Sequence, residues 1–288
     1  MTDRSQLQNE HLTLEVASLG AEMQYLRTQQ GDDLLWHGDA AFWTGRAPVL
    51  FPIVGRAVGD VVAVGDHTAS MSQHGFARRC EFTLLEQTDL MCRHVLKEND
   101  ETQAVFPFSF ALVVSHRLDG NTLHVSAEVA NTSDAPMPFG FGFHPAFCWP
   151  LPGAKDTAHY VTLAGRGVPA MHLLEDGLLR SDPMPSPFKN GELEISEDLF
   201  TDGALVFPNG SDSLRYGAPD GPALEFTFQN LPDLALWRPT SAPFLCVEPW
   251  RGTASYIGDG PQIEDRPNSL MLAAGSKVQL GYSVKVTM

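Results

Sequence analysis

Apolar and polar residues alternate with a period of two along most of the chain. In HLTLEVA (11–17), Leu12, Leu14 and Val16 alternate with polar neighbours, as in a strand with one buried face. EFTLLEQ (81–87) and LMCRHVLK (90–97) read the same way. FALVVSHRL (110–118) and TLHVSAEVAN (122–131) flank Asp119, Gly120 and Asn121, and two such alternations around these turn residues predict a β-hairpin. ALEFTFQN (223–230) and VQLGYSVKVTM (278–288) predict further strands. Long apolar stripes at the helical period of 3.6 are missing, and GDAAFW (38–43) and SEDLF (196–200) are the short helical candidates. LPGAKDT (151–157) and FPNGSDS (207–213) read as loops.

The 25 glycines and 21 prolines are spread along all 288 residues, which suits many turns between short strands. No segment repeats with the period of about 20–50 residues expected of a propeller or solenoid. The pattern predicts an all-β fold, one large antiparallel β-sandwich spanning residues 1–288 as a single domain.

Composition narrows the function. A hydrophobic content of 43% supports a sizeable core, yet no run approaches the ~18 apolar residues of a membrane-spanning helix. The first residues, MTDRSQLQNEHL, are polar and do not resemble a secretory signal. Cys80, Cys92, Cys148 and Cys246 show no paired spacing, so reduced thiols in the cytoplasm are expected. A net charge of −16 argues against nucleic acid and against an anionic membrane surface. It leaves room for a small anionic substrate, because a few arginines can make a local positive pocket.

Four stretches carry candidate chemistry. WTGRAPVLFPIVGR (43–56) sets Arg46 and Arg56 on either side of an apolar run broken by Pro48 and Pro52, and those prolines disfavour a central strand there. The two guanidiniums are either surface charges or forked donors to hydroxyls or phosphate. SQHGFARR (72–79) places His74 before a glycine that lets the backbone approach a ligand closely, with Arg78 four residues on; a turn histidine is the plainer alternative. FGFGFHPAFCWP (139–150) surrounds His144 with Phe139, Phe141, Phe143 and Phe147. That imidazole is either a core histidine or an acid–base group, since an unperturbed pKa of ~6.5 lets it give and take a proton near neutrality.

FLCVEPW (244–250) is the fourth. In strand geometry Phe244, Cys246 and Glu248 share one face, and Leu245 and Val247 the other. Both faces are largely apolar, so Glu248 is expected to be semi-buried. A buried carboxylate is costly without a partner, and burial raises its pKa toward useful base strength. Arg251 is its structural alternative as a partner. A metal site built from His74, His144 and Glu248 is a rival use of the same groups, but no short ligand pair anchors it.

Taken in order, SLGAEMQYLR, LLWHGDAAFW, GRAPVLFPIVGR, QHGFAR, FGFHPAF, LFTDGALVF and FLCVEPWRG resemble the aldose 1-epimerase (galactose mutarotase-like) superfamily, in particular its LacX-like and glucose-6-phosphate 1-epimerase-like branches. The resemblance covers most of the chain. It implies a large β-sandwich with a sugar pocket, no cofactor and no resident metal. It also implies that His144 is the general acid and Glu248 the general base, and that His74 hydrogen-bonds the sugar. Asp202 matches an aspartate contacting hydroxyls, Arg46 and Arg78 match phosphate-binding arginines, and Arg56 matches the arginine after the FPIVGR-type turn. Trp43, Trp237 and Trp250 are candidates to stack on sugar C–H faces, with Trp237, in LALWRP, equally a core residue.

The expected function is interconversion of the α and β anomers of a hexose or hexose phosphate by acid–base ring opening and closure. The alternative is a non-catalytic carbohydrate-binding or regulatory protein on the same fold. A polysaccharide-cleaving enzyme fits less well, because no secretory signal or long aromatic cleft is read from the chain. Walker loops, G-x-G-x-x-G helix starts and G-x-S-x-G elbows are also missing.

Overall fold

A computed structural model describes residues 3–288. Nine antiparallel strands form the largest sheet. Their spatial order is Glu192–Glu194, Tyr160–Leu163, Ser213–Gly217, Ala223–Gln229, Lys277–Thr287, Thr122–Asn131, Phe110–Asp119, Met91–Lys97 and Thr83–Gln87. A second, six-stranded sheet contains Leu205–Phe207, Asp233–Trp237, Phe244–Arg251, Phe141–Phe143 and Val49–Leu50, with Ala146–Cys148 also paired to Phe244–Arg251. Arg4–Gln8, Leu12–Ala17 and Met23–Thr28 make a three-stranded sheet beside them. The expected all-β fold of large antiparallel sheets is what the chain adopts.

The hairpin at the middle of the large sheet follows from its sequence. Asp119 pairs with Thr122, and Gly120 takes the positive φ of 54° that a tight turn requires. Leu112, Val114 and Leu118 on one strand, and Leu123, Val125, Ala127 and Val129 on the other, all point into the core. Their alternate neighbours are all partly exposed or exposed, and His116 and Asn131 share the buried face, so the large sheet has one dry face and one wetter one.

The strand Phe244–Arg251 differs, because its residues are buried on both faces. Leu245 and Val247 join the main core with Leu112, Val114, Phe141 and Phe143. Phe244 and Cys246 join a separate cluster with Trp36, Ala146 and Ala242 on the opposite face. That second face carries Glu248, as the alternation predicts.

Of the two short helical candidates, SEDLF forms the brief 3₁₀ helix Glu197–Phe200, whereas residues 38–43 form no helix and only a turn over 40–42. An α-helix not anticipated from the sequence spans Asp100–Val105. It is too short to show a 3.6-residue stripe, and it starts because Asn99 and Thr102 cap each other's backbone N–H groups reciprocally. Between Pro48 and Pro52 only Val49–Leu50 is strand, as the prolines dictate. Among the described residues no helix is long and apolar enough to cross a membrane.

The packing makes a direct prediction. Leu245 is 0% exposed between the sheets, so Leu245→Ala should cost about 2–5 kcal/mol in urea unfolding. Leu85, 52% exposed on an edge strand, should change by no more than about 0.5 kcal/mol as Leu85→Ala. Equal losses at the two positions would contradict the layer assignment.

Candidate active site

The second face of the six-stranded sheet forms the floor of a cavity of about 520 Å³. Backbone bonds fix what stands on that floor. His144 follows the strand Phe141–Phe143, and its N–H donates to Pro48 O at 3.1 Å, while Ala146 N–H donates to Arg46 O at 2.8 Å. Val247 N–H donates to Pro145 O at 3.1 Å, which ties the same turn to the strand of Glu248. His144 is thereby held over Glu248.

The result is a buried acid–base pair. His144 Nε2 lies 3.1 Å from Glu248 Oε2. The atoms touch without the alignment of a good hydrogen bond, and Glu248 Oε2 and His144 Nδ1 have no hydrogen-bond partner among the described residues. Burial pushes the Glu248 carboxyl well above its ordinary range. Burial also pushes the His144 imidazole down to about 3, with the Arg78 charge adding to the effect. Both shifts favour the neutral forms, a carboxylic acid beside a neutral imidazole.

The walls are aromatic and cationic. Trp43 stacks at a 33° tilt on His144 with ring centroids 4.9 Å apart, and Trp237 meets the same ring edge-on at 5.6 Å. Trp250 also lines the cavity, with its indole N–H buried and unpartnered. His74 stands edge-on to His144 at 5.7 Å. Gly55 N–H donates to His74 Nδ1 at 3.1 Å, and His74 N–H donates back to Gly55 O at 2.9 Å. An accepting Nδ1 leaves the proton on Nε2. Burial, then the neighbouring His144 and Arg78, hold His74 well below the ordinary imidazole value, so it stays neutral.

A family profile described as aldose 1-epimerase matches residues 3–285. The LacX protein of Lactococcus lactis subsp. lactis, in its plasmid form, is 30% identical over 277 residues, covering 91% of this chain and 92% of that protein. A galactose mutarotase related enzyme from Lactobacillus acidophilus superposes with a TM-score of 0.93 at 27% identity, covering 99% of this chain and 98% of that one. A galactose mutarotase-like protein from Lactobacillus casei gives 0.92 at 28% identity, covering 99% and 100%. The chain belongs to the aldose 1-epimerase family.

Of the residues that the resemblance to the epimerase family singled out, the structure gathers five around one cavity: His144, Glu248, His74, Arg78 and Asp202. Arg78 is half-buried, donates to Gln73 O at 2.9 Å and makes no ion pair among the described residues. Asp202 sits exposed at the rim. Two arginines do not join them. Arg56 is engaged by both carboxylate oxygens of Asp60, at 2.8 and 2.7 Å, and by Asp176 O at 2.9 Å, so it braces the loop behind Gly177 instead of reaching a ligand. Arg46 packs its guanidinium against Gly38, outside the cavity lining. Arg251 is not the partner of Glu248: it donates to Asn230 O.

Two neighbours went unnamed as site residues. Gln73 lines the cavity beside His74 and carries no signal in the sequence. Cys246 does carry one, since strand alternation already sets it on the face of Glu248. The metal-type group also differs from the sequence reading. Potential ligand atoms of His144, Cys246 and Glu248 lie within 4.8 Å of one another, whereas His74 gives its Nδ1 to Gly55.

Gly55 is the hinge of this wall. Its φ is 68°, and a Cβ there would come within 2.6 Å of the Ala254 backbone. Gly59 has a similar φ of 64° and open space around it. Gly59→Ala should therefore lose only the left-handed strain, about 1–2 kcal/mol, and Gly55→Ala should lose about 1–3 kcal/mol more through overpacking. Urea midpoints measure both, and equal losses would refute the close approach.

Proposed function

We propose that this chain interconverts the α and β anomers of a hexose or hexose phosphate in the cytoplasm, acting as one domain without a cofactor. The observation that supports this reading is the contact of His144 Nε2 with Glu248 Oε2, 3.1 Å apart, on a sugar-sized cavity. The anomeric carbon of a cyclic sugar bears both oxygens that must exchange protons. Acid and base must therefore stand side by side, and the 3.1 Å contact supports these two residues for the roles.

In the proposed reaction Glu248, as carboxylate, takes the proton of the C1 hydroxyl. His144, as imidazolium, delivers a proton to the ring oxygen as the C1–O5 bond breaks. The products are the open-chain aldehyde, a carboxylic acid and a neutral imidazole. Rotation about C1–C2 presents the other carbonyl face, and closure returns both protons. The neutral pair that burial favours is thus the pair that accompanies the open chain. His74 Nε2–H and Trp250 Nε1–H are placed to donate to sugar hydroxyls, and Trp43 and Trp237 to pack against C–H faces. Arg78, free of carboxylate partners among the described residues, supports a contact to a phosphate or hydroxyl oxygen. The four unpaired cysteines support the cytoplasmic setting.

Anomer exchange followed by NMR over a panel of hexoses and hexose 6-phosphates tests the proposal. The wild-type chain should accelerate exchange of at least one member, and Glu248→Gln should slow it by about 10²–10⁴-fold. Arg78→Met should slow a phosphorylated substrate more than its neutral parent. Sugar binding without any acceleration would replace the catalytic reading with that of a carbohydrate-binding protein.

A further inference from the structure

Cys246 takes no part in the proton transfers above. Its side chain is fully buried, and it precedes Glu248 by two residues on the same strand face. Its Sγ, one ring nitrogen of His144 and one carboxylate oxygen of Glu248 lie within 4.8 Å of one another. We propose that these three side chains form a site for a thiophilic divalent cation of the zinc class, which enters through the cavity and blocks it.

Three observations support the assignment. The first is the donor set: thiolate, imidazole and carboxylate together suit zinc and its heavier relative cadmium, and do not suit magnesium or calcium. The second is geometry. Two ligands each about 2.0–2.2 Å from a tetrahedral zinc lie roughly 3.3 Å apart, close to the 3.1 Å between His144 Nε2 and Glu248 Oε2. That carboxylate oxygen is buried and has no hydrogen-bond partner among the described residues. Cys246 Sγ lies within 4.8 Å of both partners and closes on the metal to reach a zinc–sulfur length of about 2.3 Å. The third is charge. A divalent cation with one thiolate, one carboxylate and a neutral imidazole sums to zero, the net charge that an apolar wall of Trp43, Trp237 and Phe244 penalises least.

The step balances. The thiol and the Glu248 carboxyl each lose a proton to solvent as the cation binds. The imidazole keeps its proton, on the nitrogen turned away from the metal. The fourth position faces the cavity, where a water completes the tetrahedron. His144 Nδ1 has no acceptor, so the site lacks the outer-shell partner that is worth roughly 10–100-fold in metal affinity. The cation is thus a dissociable inhibitor and not a resident ion. Inhibition rests on the function proposed above; binding does not.

The test uses the full chain with Zn²⁺ by equilibrium dialysis and Co²⁺ by absorption. The wild type should bind one Zn²⁺ per chain and show a thiolate-to-Co²⁺ charge-transfer band. Cys246→Ser should lose the band and bind Zn²⁺ at least about tenfold more weakly, since losing a ligand costs no less than the roughly 10–100-fold of losing an outer-shell partner. Cys246→Ala, which keeps the apolar contacts, repeats the measurement should the serine variant unfold. Glu248→Gln should weaken binding too, and Zn²⁺ inhibition of anomer exchange should weaken in Cys246→Ser by the same factor as binding. Equal Zn²⁺ affinity in wild type and both Cys246 variants, or no Co²⁺–thiolate band at saturation, would overturn the site. A chain that binds Zn²⁺ as described yet exchanges no anomers would support the site and sink only the proposed function.

Discussion

The contact between His144 and Glu248 is the constraint to which the rest of the site answers. Each group is costly to bury in its charged form, and each finds its least costly state by staying neutral beside the other. In the proposed reaction such a pair gives at one oxygen and takes at another without drawing on bulk water. That property follows from burial and adjacency together. An exposed pair would hold its charges apart, and a separated pair would leave a carboxyl with no partner.

The architecture produces that adjacency by backbone splicing. His144 sits on no long element; the three-residue strand before it and the three-residue strand after it are too short to aim a side chain alone. Bonds to Pro48 O and Arg46 O on one side, and from Val247 N–H to Pro145 O on the other, fix the turn in place. Proline at 48 leaves its carbonyl free to accept while interrupting the strand, so the chain break that weakens the sheet edge also supplies the anchor. Gly55 serves the facing wall in the same manner, bonding His74 through both its N–H and its C=O.

Much of this was legible in the residues. The alternation in FALVVSHRL and TLHVSAEVAN gave the central hairpin almost to the residue, because one wet and one dry face leave a period-two record. FLCVEPW revealed a strand buried on both sides and flagged Glu248 as the carboxylate out of place. The misfits have physical causes. GDAAFW carries good helix formers, yet tertiary contacts to Trp36 and the sheet hold it as turns. The helix Asp100–Val105 depends on a two-residue cap rather than on a stripe. Arg56 and Arg46 could not be sorted from Arg78 by spacing, since Asp60 and Gly38 decide the matter through loop geometry that no periodicity encodes. Cys246 was visible on the face of Glu248, but its proximity to His144 needed the folded turn.

The family relationship and the cavity support the proposed acid–base chemistry, and that proposal turns on the protonation state of Glu248. The most direct measurement is the carbon-13 shift of the Glu248 carboxyl, selectively labelled in the sugar-free protein and followed through pH. The account predicts that this carboxyl ionises well above the ordinary glutamate value of 4.5, because burial disfavours its charged form. A carboxyl that ionises near that ordinary value, in the folded protein, would contradict it.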